Sequence, residues 1–110
     1  MTRSIINNKA NSLTKTHNLQ RKAKNLIPGI SQLLSKQPAR FSEGIWPGYF
    51  SRAKGVEIWD LDGNKYVDMS IGGIGATVLG YADPDVDAAV KNAIDSGVSS
   101  SLNCPEDVEL

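Results

Sequence analysis

Cysteine and histidine are each used once, at Cys104 and His17. A lone cysteine excludes an internal disulfide framework. No base lies near Cys104 in the sequence, so the pairing that activates a cysteine nucleophile is missing. No cluster has metal-ligand spacing. Asp83, Asp85 and Asp87 open like a calcium loop, but the Gly and the distant Glu of that pattern are absent, and no metal is expected. Acid is missing from residues 1–26, which hold Arg3, Lys9, Lys15, Arg21, Lys22 and Lys24. This stretch reads as a solvated helix face rather than a nucleic-acid arm. Over the whole chain, 12 acidic and 12 basic residues cancel, so no nucleic-acid or membrane surface follows from charge. No apolar run near the start is long enough for a signal peptide or a membrane span. A cytoplasmic location is the expectation, although the acid-free start also has the look of an organelle transit peptide with little arginine.

What is present is organised around residues 55–70, GVEIWDLDGNKYVDMS. Two apolar runs flank Asp62-Gly63, a dipeptide that favours a two-residue type I′ turn. That turn pairs Asp60 with Lys65, Trp59 with Tyr66, Ile58 with Val67 and Val56 with Met69, and sets Glu57 against Asp68. It also puts Val56, Ile58, Val67 and Met69 on one face, and Trp59, Leu61 and Tyr66 on the other. A sheet that is apolar on both faces needs cover on both. A chain of 110 residues with so few helices does not supply it, so the chain is expected to be part of something larger.

In chain order, residues 1–11 read as a frayed, disordered start. A helix follows to about Leu26, capped by Ser12 or Thr14, with Leu19, Ala23 and Leu26 at helical spacing and Pro28-Gly29 as its stop. His17 is placed in the frayed front. Residues 30–48 read as a long ordered loop, broken by Pro38, Gly44, Pro47 and Gly48 but rich in apolar side chains. Such loops either pack or wall a ligand site. Residues 49–53 form a first strand, which completes a three-stranded antiparallel meander. Residues 71–80, IGGIGATVLG, carry neither a dinucleotide fingerprint nor a Gly-Lys-Ser/Thr phosphate loop. Their glycines allow a close approach either of backbone to backbone or of a ligand. Asp83-Pro84 starts a helix whose apolar face is Val86, Ala89, Val90, Ala93 and Ile94, ending at Ser96-Gly97. A last helix begins at Pro105, capped by Asn103 or Cys104, and is too short to stand alone.

Leu26-Ile27-Pro28-Gly29, Arg52-Ala53-Lys54-Gly55, Trp59-Asp60-Leu61-Asp62-Gly63-Asn64, Tyr66-Val67-Asp68, Leu79-Gly80, Asp83-Pro84 and the closing Glu106-Asp107-Val108-Glu109-Leu110 occur in one order. This series resembles the opening of class III pyridoxal-phosphate aminotransferases, in the branch that contains glutamate-1-semialdehyde aminomutase. The resemblance covers about Lys22 to Leu110. It implies an α+β segment of a fold-type I enzyme: residues 12–110 as the N-terminal part of the small domain, truncated before the cofactor-binding large domain. It implies amino-group transfer between a small-molecule amino donor and a carbonyl acceptor, pyridoxal 5′-phosphate as cofactor, and a homodimer when full length. The Schiff-base lysine, the aspartate for the pyridine nitrogen and the phosphate-binding turn come later in family chains. No catalytic or cofactor-binding residue is therefore assigned to this chain. What carries over is substrate-site wall, from residues 31–40 and 73–76: Ser35, Arg40, Ile74 and Gly75. The aminomutases carry a Ser-Pro-Val-Arg run where this chain has Ser35 to Arg40, which makes Arg40 a carboxylate anchor. They also carry a tryptophan where Ile74 stands, which points away from the strict aminomutase substrate. The alternatives are the intramolecular aminomutase itself and, from another class, a free-standing β-meander binding module using Trp46, Trp59 and Tyr66.

Overall fold

The computed structural model describes residues 11–109. The expected frayed start lies outside them except for Asn11, as does Leu110. Helix α1 spans Thr14–Leu26. Two 3₁₀ turns, Leu34–Lys36 and Pro38–Arg40, punctuate the long loop. Strands β1 (Phe50–Lys54), β2 (Glu57–Asp60) and β3 (Lys65–Val67) form an antiparallel sheet in sequence order. A one-turn segment α2 (Gly72–Gly75), helix α3 (Pro84–Ser96) and a short α4 (Glu106–Glu109) complete the chain. This is the helix, loop, meander and following helix read from the sequence.

The register of the central hairpin differs from the expected one by a single residue. Ile58 faces Tyr66, Trp59 faces Lys65 and Glu57 faces Val67. The turn is a three-residue loop, Leu61-Asp62-Gly63. The Gly63 amide reaches the Asp60 carbonyl at 3.2 Å, and only Gly63 has positive φ, at 89°. This is the turn-plus-bulge connection rather than type I′, which needs positive φ at both central residues. The cause is the Asp60 side chain. Its Oδ1 accepts the amides of Asp62 and Asn64 at 2.9 and 2.8 Å, and the three-residue loop satisfies both.

A one-residue slip moves every side chain to the other face. The sheet is therefore not apolar on both sides, contrary to the expectation from the sequence. Arg52, Lys54, Glu57, Trp59, Lys65 and Val67 share one face by register. There the Arg52 guanidinium lies 3.8 Å from the Trp59 ring centroid, with the Lys65 ammonium at 5.5 Å. Lys65 also pairs with Glu57. These cations cover the indole from solvent. Ala53, Ile58, Asp60 and Tyr66 take the other face. Between Phe50 and Arg52 the β1–β2 register shifts by a bulge. The Ser51 hydroxyl there donates toward the carbonyls of Trp59 and Asp60.

Helix α1 begins differently from the expectation as well. Neither Ser12 nor Thr14 caps it; Leu13 holds the cap position without a side-chain bond. The cap comes from across the chain, where the Asp62 carboxylate accepts the amides of Lys15 and Thr16 at 3.0 to 3.3 Å. Asn64 adds a bond from its side-chain amide to the Ser12 carbonyl at 2.8 Å. A carboxylate there satisfies orphan donors and suits the helix dipole. The buried stripe is Thr16, Gln20 and Ala23, whereas Leu19 and Leu26 are exposed. His17 lies inside this helix, not in a frayed segment. Residues 43–48 run beside it, with Glu43 4.0 Å from Lys24.

Asp83 caps α3 as read, accepting the amides of Asp85 and Val86 at 3.1 Å. At α4 the Asp107 carboxylate accepts the Cys104 amide at 3.1 Å, the reciprocal half of a capping box, while the Asp107 amide donates to the Cys104 backbone carbonyl and not to its side chain. Little apolar surface is hidden. The buried residues among those described are Thr16, Gln20, Ala23, Pro38 and Asp60. On α3, Val86, Val90 and Ile94 remain 48, 52 and 56% exposed. The Cα radius of gyration is 18.8 Å, well beyond the roughly 13 Å of a compact domain of this length.

Asp62→Ala removes the cap of α1 and is expected to destabilise that end by about 1 kcal/mol. Trypsin should then cut at Arg21 and Lys22 sooner than in the parent chain. Equal cleavage rates would show that Asp62 does not hold the helix start.

Candidate functional site

The candidate site is the glycine-rich loop between β3 and α3 and the shallow depression of about 260 Å³ beneath it. Its base is built by the β1–β2 turn. Lys54 pairs with Glu57, which leaves Gly55-Val56 as a two-residue loop with Gly55 at φ 57°, the first central position where a type II′ turn calls for glycine. Gly55 exchanges both backbone bonds with Tyr81, at 2.7 and 2.8 Å. A Cβ on Gly80 would stand 3.0 Å from the Gly55 Cα and carbonyl oxygen. Of the two uses read for these glycines, backbone against backbone is the one seen at Gly80.

The loop's two ends meet at Asp68 and Tyr81. The Asp68 amide donates to the Val56 carbonyl at 2.8 Å. Its carboxylate accepts the Ser70 amide on one oxygen at 2.8 Å and the Tyr81 hydroxyl on the other at 2.5 Å. The Tyr81 and Ser70 donors hold the Asp68 carboxyl below its usual value of 3.8, against an opposing effect of burial. The Tyr81 phenol is raised above 10.0 by that hydrogen bond, by burial and by the carboxylate charge. The Asp60 network behaves alike. Burial pushes Asp60 up, but donors from Asn64, Tyr66 and Asp62 outweigh it and lower its pKa. Tyr66, at 3.0 Å from Asp60, is raised, chiefly by burial.

At the tip, Gly73 and Ile74 both adopt left-handed backbone, at φ 60° and 61°. For a β-branched residue this is strained. Ile74 is 79% exposed. Gly75 lines the depression with Gly55, Asp68, Ser70 and Thr77. Ser35 and Arg40 stand elsewhere, exposed on the two 3₁₀ turns, and neither lines the depression. The structure thus groups Gly75 with the neck residues and leaves Ser35 and Arg40 apart. Sequence reasoning missed the Asp68–Tyr81 pair, whose members are 13 residues apart and show no periodicity. Leu79-Gly80 beside the turn residue Gly55 was the available signal.

This arrangement of helix, meander and glycine-rich loop superposes on segments of solved structures, among them a transaminase. An omega-transaminase from Sphaerobacter thermophilus superposes with a TM-score of 0.68 at 27% identity, over 81% of this chain and 19% of that one. The FumI protein of Sphingopyxis sp. MTA144, solved in its PLP internal aldimine form, gives 0.76 at 26% identity, over 87% and 22%. In sequence, the glutamate-1-semialdehyde 2,1-aminomutase of Heliobacterium modesticaldum is 40% identical over 95 residues, 86% of this chain and 21% of that protein. Residues 42–109 match the family described as aminotransferase class-III. The chain belongs to the class-III aminotransferase family. It spans about a fifth of the length of these relatives.

The cofactor of this family does not fit the described residues. A lysine activated for Schiff-base chemistry is desolvated or set beside another cation. Every described lysine is exposed, and neither lysine nor arginine lines the depression. Among the described residues no helix is long and apolar enough to cross a membrane.

Two outcomes follow. With its pKa lowered, Asp68 stabilises the neck above pH 3.8, and that contribution is lost as pH falls through its folded value. With its pKa raised, Tyr81 stabilises the neck below pH 10.0, and that contribution is lost as pH rises through its folded value. NMR titration should find Asp68 below 3.8, and Tyr81→Phe should move it upward; an unmoved Asp68 would remove the bond as the cause. Separately, adding pyridoxal phosphate to this chain and reducing with borohydride should label its lysines diffusely. Trapping at one lysine would contradict the poor fit.

Proposed function

We propose that this chain forms the N-terminal part of the small domain of a fold-type I aminotransferase. On this reading the whole enzyme moves an amino group between a small-molecule amino donor and a carbonyl acceptor, with pyridoxal 5′-phosphate held by residues outside this chain. The family match over residues 42–109 carries the reading. A homodimer in the cytoplasm belongs to the same proposal. The chain's share of the work is shape: the loop at Ile74 and Gly75, and the 3₁₀ turns at Ser35 and Arg40, wall the substrate. The strained, outward Ile74 supports this use, because such backbone is kept where a surface must present one side chain.

A second reading is internal amino transfer, favoured by the 40% identity to an aminomutase. A free-standing binding module is the third, and the exposed apolar face of α3 weighs against it. The enzyme that carries this segment should convert amino donors and carbonyl acceptors as a pair. Turnover of glutamate-1-semialdehyde without a second substrate would favour the internal reaction, and inactivity with both would overturn the enzymatic reading. Arg40→Ala should raise KM for a carboxylate substrate by roughly tenfold, as loss of a charge-assisted hydrogen bond does, while kcat changes less. Unchanged kinetics would take Arg40 out of the site.

A further inference from the structure

Apart from Gly80, which packs on Gly55 at the neck, the loop of residues 69–80 has no apolar packing to hold it. Ile71, Ile74, Val78 and Leu79 are 74, 79, 86 and 69% exposed. Its internal bonds are local: Gly75 to Ile71, Thr77 to Gly72 and Gly80 to Thr77. Such bonds shape the loop without fixing where it points. What fixes its direction is the neck, where a long excursion is closed at a cost in chain entropy. The neck has three backbone bonds, Asp68 to Val56 and the Gly55–Tyr81 pair. Its one side-chain bond between the two ends runs from the Tyr81 hydroxyl to Asp68. Asp68 is the joint, because its other oxygen holds the first turn of the loop through the Ser70 amide.

We propose that Tyr81 is a positioning residue: by bonding Asp68 across the neck it sets where Ile74 and Gly75 stand against the substrate. This rests on the reading that the loop walls the substrate site. Tyr81 itself touches no reacting atom. Its bond joins the end of the loop to its beginning, so the loss of one hydroxyl loosens the direction of the whole excursion and leaves its local turns in place. The lowered Asp68 carboxyl and raised Tyr81 phenol agree with a bond between a charged acceptor and a neutral donor.

The test uses the holoenzyme that carries this segment, with Tyr81→Phe and the milder Asp68→Asn, whose amide oxygen still accepts the Ser70 amide while its NH2 group donates to the Tyr81 oxygen in a neutral bond. Hydrogen exchange is followed by mass spectrometry on the peptides covering residues 69–80 and 84–96, beside steady-state kinetics. Tyr81→Phe should speed exchange of 69–80 roughly tenfold, in line with a lost charge-assisted bond, and leave 84–96 unchanged. KM should rise severalfold with kcat nearly kept, and Asp68→Asn should shift both readouts less. If Tyr81→Phe does not fold, a rise in loop exchange and KM in Asp68→Asn, set against the unmutated enzyme, carries the same comparison. Unchanged loop exchange overturns the role of the neck bond. Faster exchange with an unmoved KM overturns the link to substrate. If the unmutated enzyme transfers no amino group, the functional reading fails, and with it the link to substrate; the exchange data then judge the neck alone.

Discussion

The buried carboxylate of Asp60 is the constraint on which the rest depends. It is 2% exposed and gathers four donors: two backbone amides, the Asn64 side chain and the Tyr66 hydroxyl. A buried carboxylate without such partners would be costly; with them it becomes a rigid centre. Meeting its demand for the Asn64 amide selects a three-residue loop, and that loop selects the register. The register then assigns side chains to faces, placing Tyr66 with Ile58 and leaving Trp59 under Arg52. The same loop points Asp62 outward to cap α1. A local hydrogen-bond requirement thus propagates into topology.

The other turn of the meander does comparable work at the opposite end. Gly55 clasps Tyr81, Tyr81 clasps Asp68, and the glycine-rich loop hangs from that neck. Each hairpin turn therefore grips a neighbouring segment: α1 at one, the loop at the other. The grips are polar and geometric rather than apolar. This is consistent with a structure in which Ala23 and Pro38 are the apolar residues hidden among those described, while its direction is still set at named points.

The elements were legible in the sequence because each carries local punctuation: Pro28-Gly29 ends α1, Asp83-Pro84 starts α3, and alternating runs flank Asp62-Gly63. The α+β class and the family followed from the order of those signals. The register was not legible, because Asp-Gly favours a two-residue turn until the Asp60 side chain competes for the Asn64 amide. Nor was the cap of α1, whose acceptor lies 46 or 47 residues away. A local rule prefers Ser12 or Thr14 because it cannot see Asp62. The buried stripe of α1 was not legible either: Thr16 lies against Gly48 and Gln20 shares a groove with Glu43 and Gly44, so these polar residues are buried and Leu19 is not. Of the site, the strained tip was legible as glycine richness, but the neck joins side chains that only the fold brings together.

The composition of the depression bears on how labour is divided. It offers backbone, the apolar side chains of Val56, Ile71 and Val78, two hydroxyl side chains and one carboxylate already committed to two donors. A carboxylate with its pKa lowered by those donors is a poor proton carrier near neutral pH, since it remains ionised throughout. The phenol beside it is raised further from neutrality and is equally unsuited. The pair is therefore placed for holding and not for moving protons, and no lysine lines the depression beside it. On the proposed reading, reactivity comes from outside this chain, and what the chain supplies is a wall whose aim is set at the neck, by three backbone bonds and one phenol.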